Sequence, residues 1–256
     1  SLSSLLDPEA SIRSVFFKSV PSDKVKVQDR IADFASSHLE ESLDKLDGIS
    51  KADVEMVLPA TSTQSQLAVS FAMDRRNYIS HTVLPLKANV SSETLEKAVN
   101  AVLERHAIYR CTFVACDDDL SPFAQVVLTP DAWRKWTGSS PRVVCRQGST
   151  GNSQQWLDRA HEYLEFGEHK LYHVQIIQDD DDTSTGLLVI SMAHCICDGA
   201  SLEVLQSDIT REYAGLSPLA RPSLYNAVLD WVSGLSVETD KHWKDSLRDW
   251  EALSFH

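Results

Sequence analysis

The chain has 256 residues, of which 43% are hydrophobic and 24% charged, and a formal net charge of −13. That length and apolar fraction suffice for a sizeable core in one large or two small domains, while the acidic balance excludes a lysine- and arginine-built surface for nucleic acid or anionic lipid. Five cysteines, an odd number without a dense short-range pattern, fit reduced thiols in a cytoplasmic setting rather than a disulfide framework. No apolar run approaches the roughly 18 residues of a membrane span, and the N-terminus lacks a basic-then-apolar leader.

Residues 1–52 are rich in serine and charge. Pro21-Ser22-Asp23 offers a helix start, and Ile31, Phe34, Ala35, Leu39, Leu43 and Leu46 form a narrow apolar stripe ahead of Gly48, which ends it. The stripe carries no polar constellation suited to chemistry, so this stretch is expected to be a linker helix joining the rest to an upstream carrier domain. Residues 54–59 read as a short strand closed by Pro59. Thr61 or Ser62 then caps a helix through Phe71, with Gln64 placed as the reciprocal partner of a capping box from Thr61. Residues 78–86 alternate like a strand. Ser91 to Thr94 signal a second helix, whose Leu95, Ala98, Val99, Val102 and Leu103 share one face.

That helix runs into Arg105-His106-Ala107-Ile108-Tyr109-Arg110-Cys111-Thr112-Phe113, where helix gives way to strand. Two arginines five apart at such a junction either decorate the surface or hold a carboxylate in an interior where a lone charge would be costly. Residues 123–128 pair with the preceding strand as a hairpin across a loop at 117–122 that opens with solvated aspartates. Residues 129–141, with Trp133 and Trp136 among Pro, Gly and Ser, read as irregular. Strands are expected over 142–146 and 171–177, a helix over 156–166, and a solvated acidic loop at 179–182. Beyond Pro218 and Pro222 come two helices, over 224–235 and 243–253, with Trp231, Trp243 and Trp250 as packing anchors.

The stretch from Leu187 to Gly199 is the most informative. Leu187, Leu188, Val189 and Ile190 continue through Met192 as a strand buried on both faces. His194, Cys195, Cys197 and Asp198-Gly199 follow as a turn, after which Leu202, Leu205, Ile209 and Tyr213 recur at helical spacing. A strand that delivers an imidazole to a turn, with a carboxylate four residues later, suits proton transfer. A core histidine at an ordinary strand–turn–helix junction is the plainer reading. A zinc site from His194, Cys195, Cys197 and Asp198 is disfavoured, because adjacent ligands on a strand face opposite ways and no second cluster completes four positions. A thiol nucleophile at Cys195 or Cys197 is disfavoured as well, since small buried cysteines are usually inert.

Three stretches, taken in order, resemble the condensation domains of nonribosomal peptide synthetases, which share a superfamily with chloramphenicol acetyltransferase. Leu58-Pro59-Ala60-Thr61-Ser62-Thr63-Gln64 is similar to the family's opening motif in its fungal form, and Arg105 to Phe113 is similar to its second. Met192-Ala193-His194-Cys195-Ile196-Cys197-Asp198-Gly199-Ala200-Ser201 is similar to its HHxxxDG core, and Trp243-Lys244-Asp245-Ser246-Leu247 to the helix that follows the first lobe. The resemblance implies an α/β fold, a chloramphenicol acetyltransferase-like lobe with a central mixed β-sheet flanked by helices, with residues 53–256 as the first of two lobes. It implies peptide-bond formation, in which a carrier-bound acceptor amine attacks a carrier-bound donor thioester at the catalytic His194. Arg105 and Arg110 are implied to support the site, Asp198 to fix the loop by pairing with an arginine, and Gly199 to leave room beside a pantetheine tunnel. No metal or cofactor would be bound directly. Substrates would arrive on phosphopantetheine arms of upstream and downstream carrier (thiolation) domains, and the second lobe would be the remaining partner.

The sequence departs from the family at several points. Ala193 stands where the family has its first histidine, whose usual role is to brace the loop, and Ala107, Tyr109 and Cys111 replace a glutamate, a leucine and a threonine. The chain stops about where a first lobe ends, so alone it is expected to be inactive in condensation. An acyl-CoA-dependent acyltransferase with the same HxxxDG site and a non-catalytic carrier-docking lobe are the alternatives. The opening motif is compatible with a siderophore-type synthetase.

Overall fold

The computed structural model describes residues 24–139, 142–148, 150, 153–166, 170–179, 185–235 and 237–248. The apolar run ending at Met192 demands cover on both faces, and strand β7 (Gly186–Ala193) is buried at every position. Strands β2 (Ile79–Leu86) and β6 (Tyr172–Gln178) flank it antiparallel, and β5 (Val143–Gln147) joins β6 in parallel, giving a four-stranded mixed sheet of order β2-β7-β6-β5. A second, antiparallel sheet of order β1-β4-β3 is formed by β1 (Val54–Pro59), β4 (Phe123–Leu128) and β3 (Cys111–Ala115), the last two being the expected hairpin. The four-stranded sheet is the expected mixed sheet flanked by helices, and the three-stranded sheet is a second one.

Side-chain alternation sorts the four-stranded sheet into two layers. Leu188, Ile190 and Met192 of β7 face the same way as Ile176, Val174 and Tyr172 of β6, into the main core. That core is closed by α3 (Ser92–Arg105) and α6 (Gly199–Tyr213), through Val99, Val102, Leu103, Leu205 and Ile209. Leu187, Val189 and Ile177 point the other way, onto Trp156 and Leu157 of the short helix α5 (Ser153–Asp158).

Helix α1 (Lys24–Asp44) is the amphipathic helix expected ahead of Gly48. Its apolar stripe is buried on the three-stranded sheet and on α7 (Leu224–Gly234): Phe34 packs with Val57 and Val126, and Val27 and Ile31 pack with Leu58, Val228 and Val232. The helix is a layer of the fold, with Gly48 at φ +72° in the turn beyond it. Residues 1–23, including the helix start at Pro21-Ser22-Asp23, lie outside the described residues.

Three local readings need correction or lie out of view. Residues 129–141 contain helix α4 (Pro130–Ser139). Pro130 occupies its first position, where no intrahelical N–H is needed, and Thr129 Oγ1 accepts from Ala132 N–H at 3.2 Å, so the proline starts the helix. Trp243 is 58% exposed on α8 (Val237–Ser246), so it is no packing anchor, whereas Trp231 of α7 does pack against the cluster that includes Val27, Ile31 and Leu58. Trp250, the rest of the expected terminal helix and Asp180 to Asp182 lie outside the described residues.

The α5 side of the four-stranded sheet carries a polar row: His81, Ser191 and His173 lie opposite one another across β2, β7 and β6. His81 Nδ1 meets Ser191 Oγ at 3.0 Å. His173 is 3% exposed and stacks on Tyr163 with ring centroids 4.3 Å apart, and neither of its ring nitrogens has a partner among the described residues. Burial first, and then the Arg142 and Arg146 cations, holds its pKa down to about 4 from the ordinary 6.5. The unfolded chain therefore binds this proton more readily. The stabilising difference is fully present above pH 6.5 and is lost as pH falls toward 4, by roughly 3 kcal/mol at most. Urea unfolding at pH 7.5 and 4.5 should accordingly show a pH-dependent loss that His173→Phe reduces by about 2 kcal/mol; equal losses in both proteins would contradict this account.

Candidate active site

Strand β7 ends at Ala193 and hands His194 to a loop whose backbone is held from several sides. The His194 N–H donates to the Tyr78 carbonyl at 2.7 Å, just ahead of β2. Tyr78 itself sits at φ +52°, a left-handed conformation that is an outlier for a bulky aromatic residue. The Ile196 N–H donates to the Ala193 carbonyl at 3.1 Å, which closes a turn. Asp198 then caps α6. Its carboxylate accepts from the Ser201 N–H at 2.7 Å, while the Asp198 N–H donates to Ser201 Oγ at 2.7 Å. The Ser201 N–H, followed by its hydroxyl, holds the Asp198 carboxyl below the usual carboxylate range.

The half-buried His194 ring is fixed by its own loop, with Nδ1 lying 2.5 Å from the Cys197 carbonyl. A carbonyl can only accept, so Nδ1 carries the hydrogen and Nε2 of the neutral ring keeps a free lone pair. The flanking thiols do not compete with it. Cys195 and Cys197 are buried, which pushes the Cys197 thiol up to about 11 and the Cys195 thiol further still. Among the described residues no three histidine, cysteine or carboxylate side chains converge as a metal-binding set.

The opening motif reaches this loop directly. Thr61 caps α2 (Ser62–Met73), and its N–H donates to Gln64 Oε1 at 3.0 Å, which completes the expected capping box. Gln64 Nε2 points the other way, donating to Gln125 Oε1 at 3.1 Å and to the Cys195 carbonyl at 3.3 Å. Gln125, fully buried on β4, donates in turn to the Pro59 carbonyl at 3.0 Å. The sequence showed Gln64 as a cap; its reach to residue 195 spans 131 positions of chain and left no local signal.

The second motif acts one layer away. Arg105 pairs with Glu212 at 2.8 Å, near the far end of α6. The buried Arg110 donates from Nε to the Glu104 carbonyl at 2.8 Å and from Nη1 to Glu55 at 2.6 Å and to the Leu128 carbonyl. Of the two arginines, then, Arg110 is the one held inside against a carboxylate, and neither meets Asp198. Asp198 has no ion pair among the described residues, where its carboxylate caps α6. A Cβ at Gly199 would meet nothing within 4 Å, so the backbone there borders open space.

Between the two arginines, His106 has a partner that sequence reading did not anticipate. His106 Nε2 lies 2.8 Å from one oxygen of Asp208, and Arg221 holds the other at 2.9 Å. Asp208 is 2% exposed. Burial, the largest effect, would raise its pKa, but Arg221 and His106 together bring it below the ordinary value. The available signal was an acid between Leu205 and Ile209 on the buried face of α6. Tyr109 stands edge-on to both His106 and Tyr172, with centroids 6.0 Å away in each case, in the core cluster that contains Cys195, Ile196 and Cys197.

The Condensation domain family model matches residues 54–254, most of the chain, and the chain belongs to that family. It is similar to the nonribosomal peptide synthetase sidC of Aspergillus fumigatus, at 27% identity over 99% of this chain and 5% of that protein. It is also similar to the siderophore peptide synthetase fer3 of Mycosarcoma maydis, at 30% identity over 64% of this chain and 4% of that protein. Among solved structures, the condensation domain of the Monacolin K polyketide synthase MokA matches with a TM-score of 0.60 at 18% identity, covering 80% of this chain and 44% of that one. The chain thus spans about a twentieth of the sidC synthetase and less than half of the solved chain.

Asp208→Asn keeps the side chain's shape but removes the charge that His106 and Arg221 share. It should lower unfolding stability by about 2–3 kcal/mol in urea titrations, and an unchanged midpoint would show that the cluster contributes nothing to holding α6.

Proposed function

We propose that this chain is the first lobe of a peptide-bond-forming condensation domain, with His194 as the residue that faces the chemistry. The observation that carries the reading is the Nδ1 bond of His194 to the Cys197 carbonyl, which leaves Nε2 as an acceptor at the half-exposed end of a rigid buried strand. An α-ammonium must lose a proton before it can attack a thioester. Nε2 is suited to take that proton, or to hold the amine while the zwitterionic intermediate forms. The amine nitrogen bonds to the thioester carbonyl carbon, the carbon–sulfur bond breaks, and the leaving sulfur ends as a carrier thiol.

Both acyl groups would be delivered on phosphopantetheine arms of carrier domains upstream and downstream, with no cofactor held by the lobe itself. The open space at Gly199, and the exposed Asp198 with no ion pair among the described residues, leave room for a second lobe to close the site. That lobe is the proposed source of an arginine for Asp198, in keeping with a match to less than half of the solved domain. On this reading the lobe alone does not condense substrates. The likeness to fer3, named a siderophore peptide synthetase, supports placing the parent enzyme among siderophore-type synthetases.

The test is His194→Ala in the full synthetase with both carriers loaded. Product formation should fall by about 10²- to 10⁴-fold, the usual contribution of a positioned acid–base group, while carrier binding measured by titration stays the same. Undiminished product with intact binding would assign the lobe to docking alone.

A further inference from the structure

We propose that Gln64 is a positioning residue for His194, setting the loop that aims its imidazole. The inference rests on the reading of His194 given above and extends it to a residue on a different sheet layer and motif.

The orientation of the Gln64 amide follows from its partners. The Thr61 N–H can only donate, so the atom facing it at 3.0 Å is Oε1, and the opposite atom must be Nε2. Both hydrogens of Nε2 are then used, one on Gln125 Oε1 and one on the Cys195 carbonyl. Gln125 cannot swing away, because it is fully buried and its own Nε2 is engaged by the Pro59 carbonyl. The result is a relay of fixed amides from the end of β1, through β4 and the start of α2, to the 195–196 peptide.

The loop needs such a brace. Ala193 has no side-chain hydrogen bond to offer, and the His194 ring hangs on the Cys197 carbonyl two peptides beyond the one that Gln64 holds. Rotation of the 195–196 peptide would move the Cys197 carbonyl and release Nδ1. Together with the Tyr78 carbonyl on the His194 N–H and the Ser80 side chain at the Cys197 thiol, the Gln64 amide anchors residues 194–197 to chain outside β7 and the loop itself.

A substitution can separate this role from helix capping. Gln64→Glu keeps an oxygen for the Thr61 N–H, and glutamate is a standard capping-box partner, but it has no hydrogen to give the Cys195 carbonyl. Thr61→Ala does the reverse, weakening the cap while leaving both Gln64 Nε2 bonds in place. Two measurements follow: the His194 imidazole tautomer by nitrogen-15 NMR in this chain, and kcat and KM for product formation in the full synthetase. Gln64→Glu should replace the pure Nδ1–H tautomer of His194 with a mixture and lower kcat about 10- to 100-fold, with KM for loaded carriers within twofold. Thr61→Ala should leave both the tautomer and kcat within twofold.

An unchanged tautomer in Gln64→Glu overturns the proposal, whatever kcat does, as does Thr61→Ala matching the effects of Gln64→Glu. A changed tautomer with unchanged kcat supports positioning by Gln64 and instead defeats the catalytic reading of His194. Should the glutamate variant fail to fold, Gln64→Met removes the same donor without adding charge and is judged by the same outcomes.

Discussion

A neutral imidazole offers a lone pair at one nitrogen only, and the group that receives the hydrogen at the other decides which. In this chain the deciding group is the Cys197 carbonyl, and the surrounding structure serves to keep that carbonyl where it is. Strand β7 can deliver His194 reproducibly because both its faces are buried and both its edges are paired. Where the ladder ends, the Tyr78 carbonyl takes over, at the cost of a left-handed aromatic residue. On the far side of the loop, Asp198 starts α6 with a reciprocal cap, so the turn has a fixed entry and a fixed exit.

The remaining layers act on those two ends. Helix α6 is held along its length by polar contacts from the α3–β3 junction: His106 to Asp208, then Arg105 to Glu212 one turn further on. The carboxylate of Asp208 is tolerable in an interior position because two partners divide its oxygens, and removing either would leave one buried oxygen without its partner. Arg110 faces the opposite way and ties the same junction to β1 and β4. The second motif is therefore a clamp between sheets and helices, and its Tyr109 packs in the same cluster as Cys195 and Cys197. Helix α1 extends the same architecture outward by covering the three-stranded sheet.

Elements with short-range rules were legible in the chain. The Thr61–Gln64 capping box, the amphipathic face of α3, the doubly buried β7 and the β3–β4 hairpin all follow from spacings of a few residues, and each stands where that spacing placed it. Helix α4 was misread because proline and glycine were taken as breakers, although a proline at the first helical position favours the start. The division into two sheets was out of reach, since strand pairing joins β2 to β7 across more than a hundred residues. At the site, His194 and the turn at Asp198 were visible as residue types in a pattern. The destinations of Arg105, Arg110, His106 and Gln64 were not, because each is settled by a partner from a distant segment.

The alanine at 193 shows how such a loop tolerates a lost side chain. A hydrogen-bonding residue there could brace the turn from within, whereas Ala193 contributes a methyl group that is fully buried. Its backbone supplies part of the bracing instead. The Ala193 carbonyl accepts from the Ile196 N–H and lies 3.6 Å from Cys197 Sγ, while the Ala193 N–H donates to the Leu171 carbonyl at 2.8 Å. The apolar neighbours complete it, since thiols that remain protonated pack as small hydrophobes and ask for no solvent. Mechanical support of the loop and the chemistry of its imidazole are therefore separable. The support can be rebuilt from backbone, packing and a distant glutamine, but the Nδ1–H on Cys197 and the free Nε2 both belong to the His194 ring and have no substitute elsewhere in the loop.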